Sequence, residues 1–234
     1  MMNINVRGAL GTQIIELFTG FSNIIEAKTT PSKIIINTGG NPYHTVQRDY
    51  LSELFDTWVP IETNSQSMNK TGIDGTNLEK ILRHRAHIIN IYTQFRIPKF
   101  QYADVVVHVR KGDKQLISDS KYIETVATLL ETHPNLFVMG DDFLLISDIC
   151  NKTGARFIHQ KPVMDWFTVA NAREVFAGVS AFPLSGMVMN PDLKINFFSE
   201  KSGYYDGPVK LHHMQGYMDI YKTFVMRHNN LRWV

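Results

Sequence analysis

The stretch Val105–Lys114, VVVHVRKGDK, is the segment from which we predict the fold and a functional site. The valines at its start are β-branched and predict a strand that is buried on both faces. His108 and Arg110 are two residues apart, so on a strand their side chains point to the same side. Gly112 permits a turn, which Asp113 completes. Open α/β sheets place ligand sites at such strand ends. The alternative is a buried strand followed by a solvated, charged turn.

The composition indicates an ordinary globular protein. The 234 residues permit one large or two small domains, and the chain is 44% hydrophobic and 20% charged. A net charge of +2 is too small to argue for binding to nucleic acid or to an anionic membrane. Cys150 is the single cysteine, so no intrachain disulfide can form. We find no apolar run of membrane-spanning length and no secretory signal, and we expect a soluble cytoplasmic protein or a domain of a longer one.

The N-terminal segment predicts a strand, a glycine-bearing turn and a helix. Asn3–Arg7 is the strand, Gly8–Gln13 is the turn, and apolar residues recur at helical spacing from Ile14 to Ile25. This geometry offers backbone N–H groups to an anion. The glycine spacing matches neither a dinucleotide fingerprint nor a P-loop. A tight turn that only packs the helix on the strand is the alternative.

The rest of the first half carries fewer signals. Lys33–Asn37 predicts a second strand, and the polar segment Asn64–Thr76 predicts an exposed loop. Asn77 is the predicted N-cap of a helix that Pro98 ends. Residues 1–100 and 101–234 are predicted to form separate domains.

Strands and helices alternate in the second half, and this alternation predicts a parallel sheet. The predicted strands after Val105 are Asn135–Met139, Ala155–His159, Glu174–Val179 and Lys194–Phe198. The predicted helices cover Tyr122–Leu130, Phe143–Cys150, Asp165–Ala172, a stretch ending at Met189, and Tyr217–Met226.

Polar residues follow three of these strands, and together with Asp165 they can converge at one sheet edge. A guanidinium suits a phosphate, hydroxyls at a helix start add neutral donors, and carboxylates accept from a ribose or a base. The pattern therefore predicts a nucleotide site on a Rossmann-like domain. The residues concerned are His108, Arg110, Asp113, Asp141, Asp142, Ser180 and Ser185.

The pair Asp141–Asp142 has two other interpretations. Paired carboxylates can hold a metal ion. An apolar helix follows the pair directly, however, and this favours a helix N-cap.

Four segments occur in the order of four known family motifs. His108–Asp113 resembles His-x-Arg-Arg-Gly-Asp, Gly8–Gln13 resembles Gly-Gly-Leu-Gly-Asn-Gln, and Gly140–Asp142 resembles Ser-Asp-Asp. Asp165 and Val179–Gly186 resemble a late Asp followed by Asn-Ser-Thr-Phe-Ser-Trp-Trp-Gly. These motifs belong to the α-1,2-fucosyltransferases and their wider relatives, the α-1,6- and protein O-fucosyltransferases.

The resemblance implies a metal-independent glycosyltransferase of the GT-B type. In that fold two Rossmann-like domains face each other across a cleft. The resemblance implies that residues 1–100 form a reduced first domain on the acceptor side and that residues 101–234 bind the nucleotide sugar. The resemblance implies no cofactor. GDP-fucose is the implied donor, a glycan hydroxyl is the implied acceptor, and the reaction inverts the anomeric centre.

The resemblance also implies roles for individual residues. Arg110 would bind the β-phosphate and stabilise the departing GDP, and His108 would support that site. Asp113 is our candidate for the base that deprotonates the acceptor. Independently of any family, a fixed guanidinium stabilises charge that develops on a leaving phosphate. The predicted substrate-binding residues are Gly8, Gly11, Gln13, Lys111, Asp141, Asp142, Asp165, Ser180, Phe182 and Ser185.

The sequence departs from the motifs at several positions. Lys111 stands where the family has Arg, Gly140 where it has Ser, and Thr12 where it has Asn. Pro183 and Leu184 replace Ser and Trp. Two alternatives therefore stay open: the same fold with another nucleotide-sugar donor, and a non-catalytic protein that binds nucleotide or glycan.

Overall fold

The computed structural model divides the chain into two compact units, Met1–Pro98 and Lys99–Val234. It describes residues 2–7, 9–28, 34–39, 54–57, 61–64, 75–91, 93–110, 117–178, 180–198 and 231–233. No helix in these ranges combines the length and the apolar character that crossing a membrane requires.

The first unit contains a parallel sheet, a short antiparallel pair and two helices that pack on each other. The parallel strands are β1 (Met2–Arg7), β2 (Ile34–Gly39) and β4 (Ile61–Asn64), in the order β1-β2-β4. The antiparallel strands are β3 (Phe55–Thr57) and β5 (Thr93–Phe95), and the helices are α1 (Leu10–Glu26) and α2 (Gly75–Ile91).

Helix α1 begins earlier than the sequence predicts. Its first residue is Leu10, so Gly11 and Gln13 lie in the helix and not in a turn. Leu10 continues the apolar stripe that includes Ile14, and both side chains are buried. The helix approaches β1 closely, because a Cβ on Gly20 would lie 2.5 Å from Ile4 Cγ2. The stripe therefore decides where this helix begins, and a small residue lets it pack on the strand.

The predicted limits of α2 are wrong. The helix begins at Gly75, so Asn77 lies inside it and is not its N-cap. It ends at Ile91, well before Pro98, because Thr93–Phe95 pairs with β3 instead of continuing the helix. Most of the predicted loop Asn64–Thr76 lies outside the described residues.

The second unit is built on a six-stranded parallel sheet in the described part of the chain, in the order β11-β10-β9-β6-β7-β8. The α/β class with a parallel sheet is thus confirmed. The strands are β6 (Val105–Val109), β7 (Leu136–Gly140), β8 (Arg156–Phe157), β9 (Glu174–Ala177), β10 (Lys194–Phe197) and β11 (Leu231–Trp233). The helices are α3 (Asp119–Thr132), α4 (Phe143–Thr153), α5 (Pro162–Asn171) and α6 (Ala181–Met189). The predicted helix Tyr217–Met226 lies outside the described residues.

The strand order creates a topological switch point beside β6. From β6 the chain moves outward through β7 to β8, and then returns to the other side of β6 with β9. His108 on β6 pairs in register with Met139 on β7 and with Ala177 on β9. Connections therefore leave the carboxyl ends of β6 and β9 in opposite directions. Ligands of doubly wound sheets bind in the crevice that such a divergence opens.

The core explains why β6 is buried along its whole length. Val105, Val107 and Val109 pack with buried side chains of α3 and α4 on one face of the sheet. His108 faces the other side, because neighbouring residues on a strand alternate. Both faces of β6 are therefore covered, as in other parallel sheets.

Candidate functional site

Arg110 follows β6 directly and lies beside Asp141, which follows β7. The Arg110 Nη1 atom is 3.6 Å from Asp141 Oδ2, and the side chains are 17% and 38% exposed. The register explains the meeting, because Val109 pairs with Gly140 and the next residue of each strand carries the charge. At this distance the two groups attract as charges without a close hydrogen bond. The two predicted site residues are therefore neighbours at the carboxyl edge of the sheet.

The backbone of Arg110 is held by Tyr122 of α3. The Arg110 N–H donates to the Tyr122 hydroxyl at 3.1 Å, and that hydroxyl also lies 3.5 Å from the Arg110 carbonyl oxygen. Tyr122 is fully buried, and this burial raises the pKa of its phenol to about 12. The hydroxyl therefore keeps its proton at neutral pH. In the sequence Tyr122 is the first residue of a predicted helix, and its phenol among aliphatic residues is the feature that indicates a polar partner.

His108 contributes a neutral buried ring on the face of β6 opposite to Val107 and Val109. Its ring stacks on Phe182 with centroids 5.0 Å apart and planes at 18°. Burial, and secondarily the charge of Arg110, lower the pKa of His108 to about 4, although Asp141 acts in the opposite direction. No described residue forms a hydrogen bond with its Nδ1. At pH 7 this imidazole is uncharged, so of the two described residues His108 and Arg110 only Arg110 is positively charged.

Gly140 allows β7 to approach the end of β6. Its φ is +153°, and a Cβ at this position would lie 1.9 Å from the Val109 carbonyl oxygen. The Asp141 N–H donates to the same oxygen at 3.3 Å. A serine would place its Cβ in the strand beside it. This close approach is a structural reason for glycine at position 140.

Asp142 and Ser180 both cap helices. Asp142 Oδ1 accepts from the Leu145 N–H at 2.9 Å at the start of α4. Ser180 Oγ accepts from the Phe182 N–H at 3.3 Å at the start of α6. The prediction that Asp142 caps a helix is thus confirmed. Substrate contacts by either residue stay predictions.

Ser185 and Asp165 lie on the helices behind the sheet edge. Ser185 is fully buried; it donates to the Phe182 carbonyl oxygen at 2.7 Å and accepts from Trp166 Nε1 at 2.9 Å, which joins α6 to α5. Gln160 Nε2 lies 3.5 Å from Asp165 Oδ1, and burial raises the pKa of this carboxyl to about 6. Asp165 is thereby tied to the segment that follows β8.

The remaining predicted residues are distributed differently. Gly11 and Gln13 are buried in the first turns of α1, in the first unit. Gly8, Lys111 and Asp113 lie outside the described residues. Direct contacts therefore join the predicted residues in two pairs, His108 with Phe182 and Arg110 with Asp141, and Tyr122 holds the backbone of Arg110. The two pairs are linked along the chain, because His108 and Arg110 are two residues apart.

The described residues contain no group of three or more His, Cys, Asp or Glu side chains arranged to hold a metal ion. Of the two carboxylates considered as a metal pair, Asp141 lies against Arg110 and Asp142 caps α4.

Comparison with known proteins assigns no family to the chain. No protein-family model matches it, and no curated protein does. Among solved structures it is similar to the E. coli heptosyltransferase WaaC with ADP-2-deoxy-2-fluoro heptose, with 9% identity, a TM-score of 0.43 and coverage of 93% of this chain and 70% of that one. It is also similar to Thermosulfurimonas dismutans KpsC, a beta Kdo 2,7 transferase, with 12% identity, a TM-score of 0.31 and coverage of 84% and 78%. Both likenesses are too weak to carry an argument, so function must be argued from the site.

Proposed function

We propose that the protein is a glycosyltransferase whose second unit binds a nucleoside diphosphate sugar at the carboxyl ends of β6, β7 and β9. The observation that carries the proposal is Arg110, a mostly buried guanidinium held at the end of β6 beside the switch point. Doubly wound sheets bind nucleotides at this position. GDP-fucose as donor, a glycan hydroxyl as acceptor, inversion and a two-domain GT-B arrangement are the finer parts of the proposal, and they come from the motifs.

Transfer of a sugar from a nucleoside diphosphate is favoured by a fixed positive charge beside the diphosphate. When the sugar leaves, negative charge develops on the departing diphosphate, and a guanidinium that is already in place stabilises it without reorganisation. Tyr122 fixes the backbone of Arg110, and the low exposure of the side chain limits screening by water. Removal of one such donor typically costs about 3 kcal/mol of transition-state stabilisation.

The neighbours of Arg110 fit the same ligand. Asp141 directly follows β7, which is the neighbour of β6 in the sheet. In nucleotide-binding sheets a carboxylate near this position accepts a hydrogen bond from a ribose hydroxyl. His108 is neutral and stacked on Phe182, so it forms a wall of the site without adding charge. Asp113, as the base that activates the acceptor hydroxyl, completes the proposed mechanism.

Binding of a nucleoside diphosphate tests the proposal first. Millimolar GDP should raise the melting temperature of the wild-type protein, because a ligand that binds only the folded state stabilises it. Arg110→Ala should abolish the shift. Arg173→Ala is the matched control, since Arg173 forms an ion pair with Asp104 at 3.0 Å before β9 begins, and it should keep the shift. The absence of a GDP-dependent shift in the wild type would contradict the proposal.

A hydrolysis assay with GDP-, UDP- and dTDP-sugars then identifies the donor. Release of GDP from GDP-fucose supports the fucosyltransferase assignment. Turnover of another donor supports the same chemistry with a different sugar. Nucleotide binding without release of nucleoside diphosphate, with any acceptor, supports a non-catalytic binding protein.

A further inference from the structure

Three aromatic rings meet at the surface near the carboxyl end of β8. Phe143 contacts Phe157 edge to face, with ring centroids 6.0 Å apart, and it contacts His159 in the same manner at 5.7 Å. Phe143 is 52% exposed and Phe157 is 48% exposed. Among the described residues these phenylalanines belong to a small set of large apolar side chains left open to water. We call these three residues the aromatic cluster.

The position of the aromatic cluster follows from the strand order. Phe157 is on β8, which is the neighbour of β7, and β7 is the neighbour of β6. Phe143 is the first residue of α4 and comes directly after Asp142. Phe157 pairs in register with Val138, and Val138 pairs with Val107, so Phe157 lies two strands across from β6 and three residues before Arg110. With about 4.8 Å between strands and about 3.3 Å per residue, the backbones of Arg110 and Phe157 are roughly 14 Å apart. A nucleoside diphosphate in an extended conformation bridges the side chains of two residues at this separation.

We propose that the aromatic cluster is the base subsite of the proposed nucleotide site, and that it stacks the purine of a nucleoside diphosphate whose phosphates face Arg110. The inference rests on the proposed function and extends it. Along the sheet edge the order is then diphosphate at β6, ribose at Asp141 after β7, and base at Phe143 and Phe157.

The chemistry of the aromatic cluster favours a base over other occupants. Stacking of a base on an aromatic side chain contributes about 1–3 kcal/mol and uses the π-face that every base has. A purine covers more ring surface than a pyrimidine and should bind more tightly. The aromatic cluster is also continuous with the candidate site, because Asp141 and Asp142 connect β7 to Phe143. A surface for a second copy of the chain would not need this continuity.

The test is a calorimetric titration of the full chain with GDP and with inorganic pyrophosphate, which has no base. Phe143→Ala and Phe157→Ala should each weaken GDP binding about tenfold, which corresponds to about 1.4 kcal/mol, and should leave pyrophosphate binding unchanged. Phe143→Leu should weaken GDP binding as much as Phe143→Ala does. Leucine keeps the apolar bulk, but it lacks the ring on which the base would stack. Phe143→Trp should retain affinity, and GDP, but not pyrophosphate, should quench its fluorescence.

Leu144→Ala is the matched control. Leu144 is adjacent to Phe143 and 81% exposed, but it has no ring, so its removal should leave the affinity for GDP unchanged. Arg110→Ala should weaken both ligands.

The outcomes separate the two claims. GDP affinity that is equal in wild type, Phe143→Ala and Phe157→Ala overturns the base subsite and leaves the proposed function standing. A parallel loss of GDP and pyrophosphate binding in these variants also overturns it, since that pattern indicates a structural role. Loss of a dimer with unchanged GDP binding overturns it in favour of an interface between copies. A wild type that binds neither ligand overturns both claims.

Discussion

The imidazole of His108 on β6 stacks on the phenyl ring of Phe182 on α6, with the two planes at 18° and the centroids 5.0 Å apart. The contact crosses the switch point, because β6 belongs to the outward-running strands and α6 follows β9. The neutral form of His108 is favoured in this contact, because a charged imidazole would lose its hydration on burial and would be repelled by Arg110. The protonation of His108 should therefore be coupled to folding.

His108→Phe should remove a pH dependence of stability. The pKa of His108 is about 4 in the folded protein and 6.5 in the reference state, so between these values only the unfolded chain binds the proton. This contribution is fully present above pH 6.5 and is lost as the pH falls toward 4. Urea titrations at several pH values should show the wild type losing up to about 3 kcal/mol relative to His108→Phe over this range. A constant difference between the two proteins would contradict the buried, neutral state.

Asp165→Asn should have the opposite effect. Burial raises the pKa of Asp165 from 3.8 to about 6, so the folded protein holds a proton that the unfolded chain releases in this range. The contribution is present below pH 3.8 and is lost as the pH rises through 6. Asparagine keeps an oxygen for Gln160 Nε2 and does not titrate. The unfolding free energy of wild type relative to Asp165→Asn should fall from pH 4 to pH 6; a rise would reverse the assigned shift.

Tyr122→Phe should weaken nucleotide binding without direct contact to the ligand. The substitution removes the oxygen that accepts from the Arg110 N–H and leaves this donor unsatisfied, at a cost of about 1–3 kcal/mol of stability. It should also lower the affinity for GDP, because the backbone from which the guanidinium extends is no longer held by this hydrogen bond. The measurements are chemical unfolding and calorimetric titration with GDP on the same preparation.

Ser118→Ala is the control for Tyr122→Phe. Ser118 caps the same helix by accepting from the Lys121 N–H at 3.2 Å, and loss of this cap costs about 1 kcal/mol. It should reduce stability and leave GDP affinity unchanged. Equal effects of the two substitutions on GDP affinity would assign Tyr122 to general stability alone.

Gly140→Ala should disrupt the contact between β6 and β7. The added Cβ would lie 1.9 Å from the Val109 carbonyl oxygen, so one of the two strands must shift. We expect a loss of more than about 2 kcal/mol in unfolding free energy, at the high end for a point substitution. Gly178→Ala is the control, because its Cβ would meet Ile117 and Tyr122 at 3.5 and 3.6 Å, an ordinary contact. A tolerated Gly140→Ala would contradict the close approach.

The alternation of elements in the second unit was predictable because its signals are local. Valines predicted β6, and the caps Ser118 and Asp142 lie immediately before the helices that they begin. The period of two placed His108 and Arg110 on one side of the chain. These features depend on residues a few positions apart in the chain, so they can be recognised from the sequence alone.

The contacts that build the site depend on residues far apart in the chain. The hydrogen bond between Tyr122 and Arg110 and the clash that excludes a Cβ at Gly140 exist only after the strands are paired. The strands Phe55–Thr57 and Leu231–Trp233 have three residues each, too few for a periodic pattern to appear. Tertiary pairing also decided where α2 ends, because the residues after it pair with β3.

A crystal structure of the protein soaked with GDP tests the central claim most directly. We predict that the β-phosphate lies at the carboxyl end of β6, with a phosphate oxygen about 2.8 Å from an Arg110 guanidinium nitrogen. Arg110 would then contact the ligand while its backbone N–H still donates to Tyr122. A diphosphate bound elsewhere, or GDP bound with the Arg110 guanidinium directed only at Asp141, would contradict it.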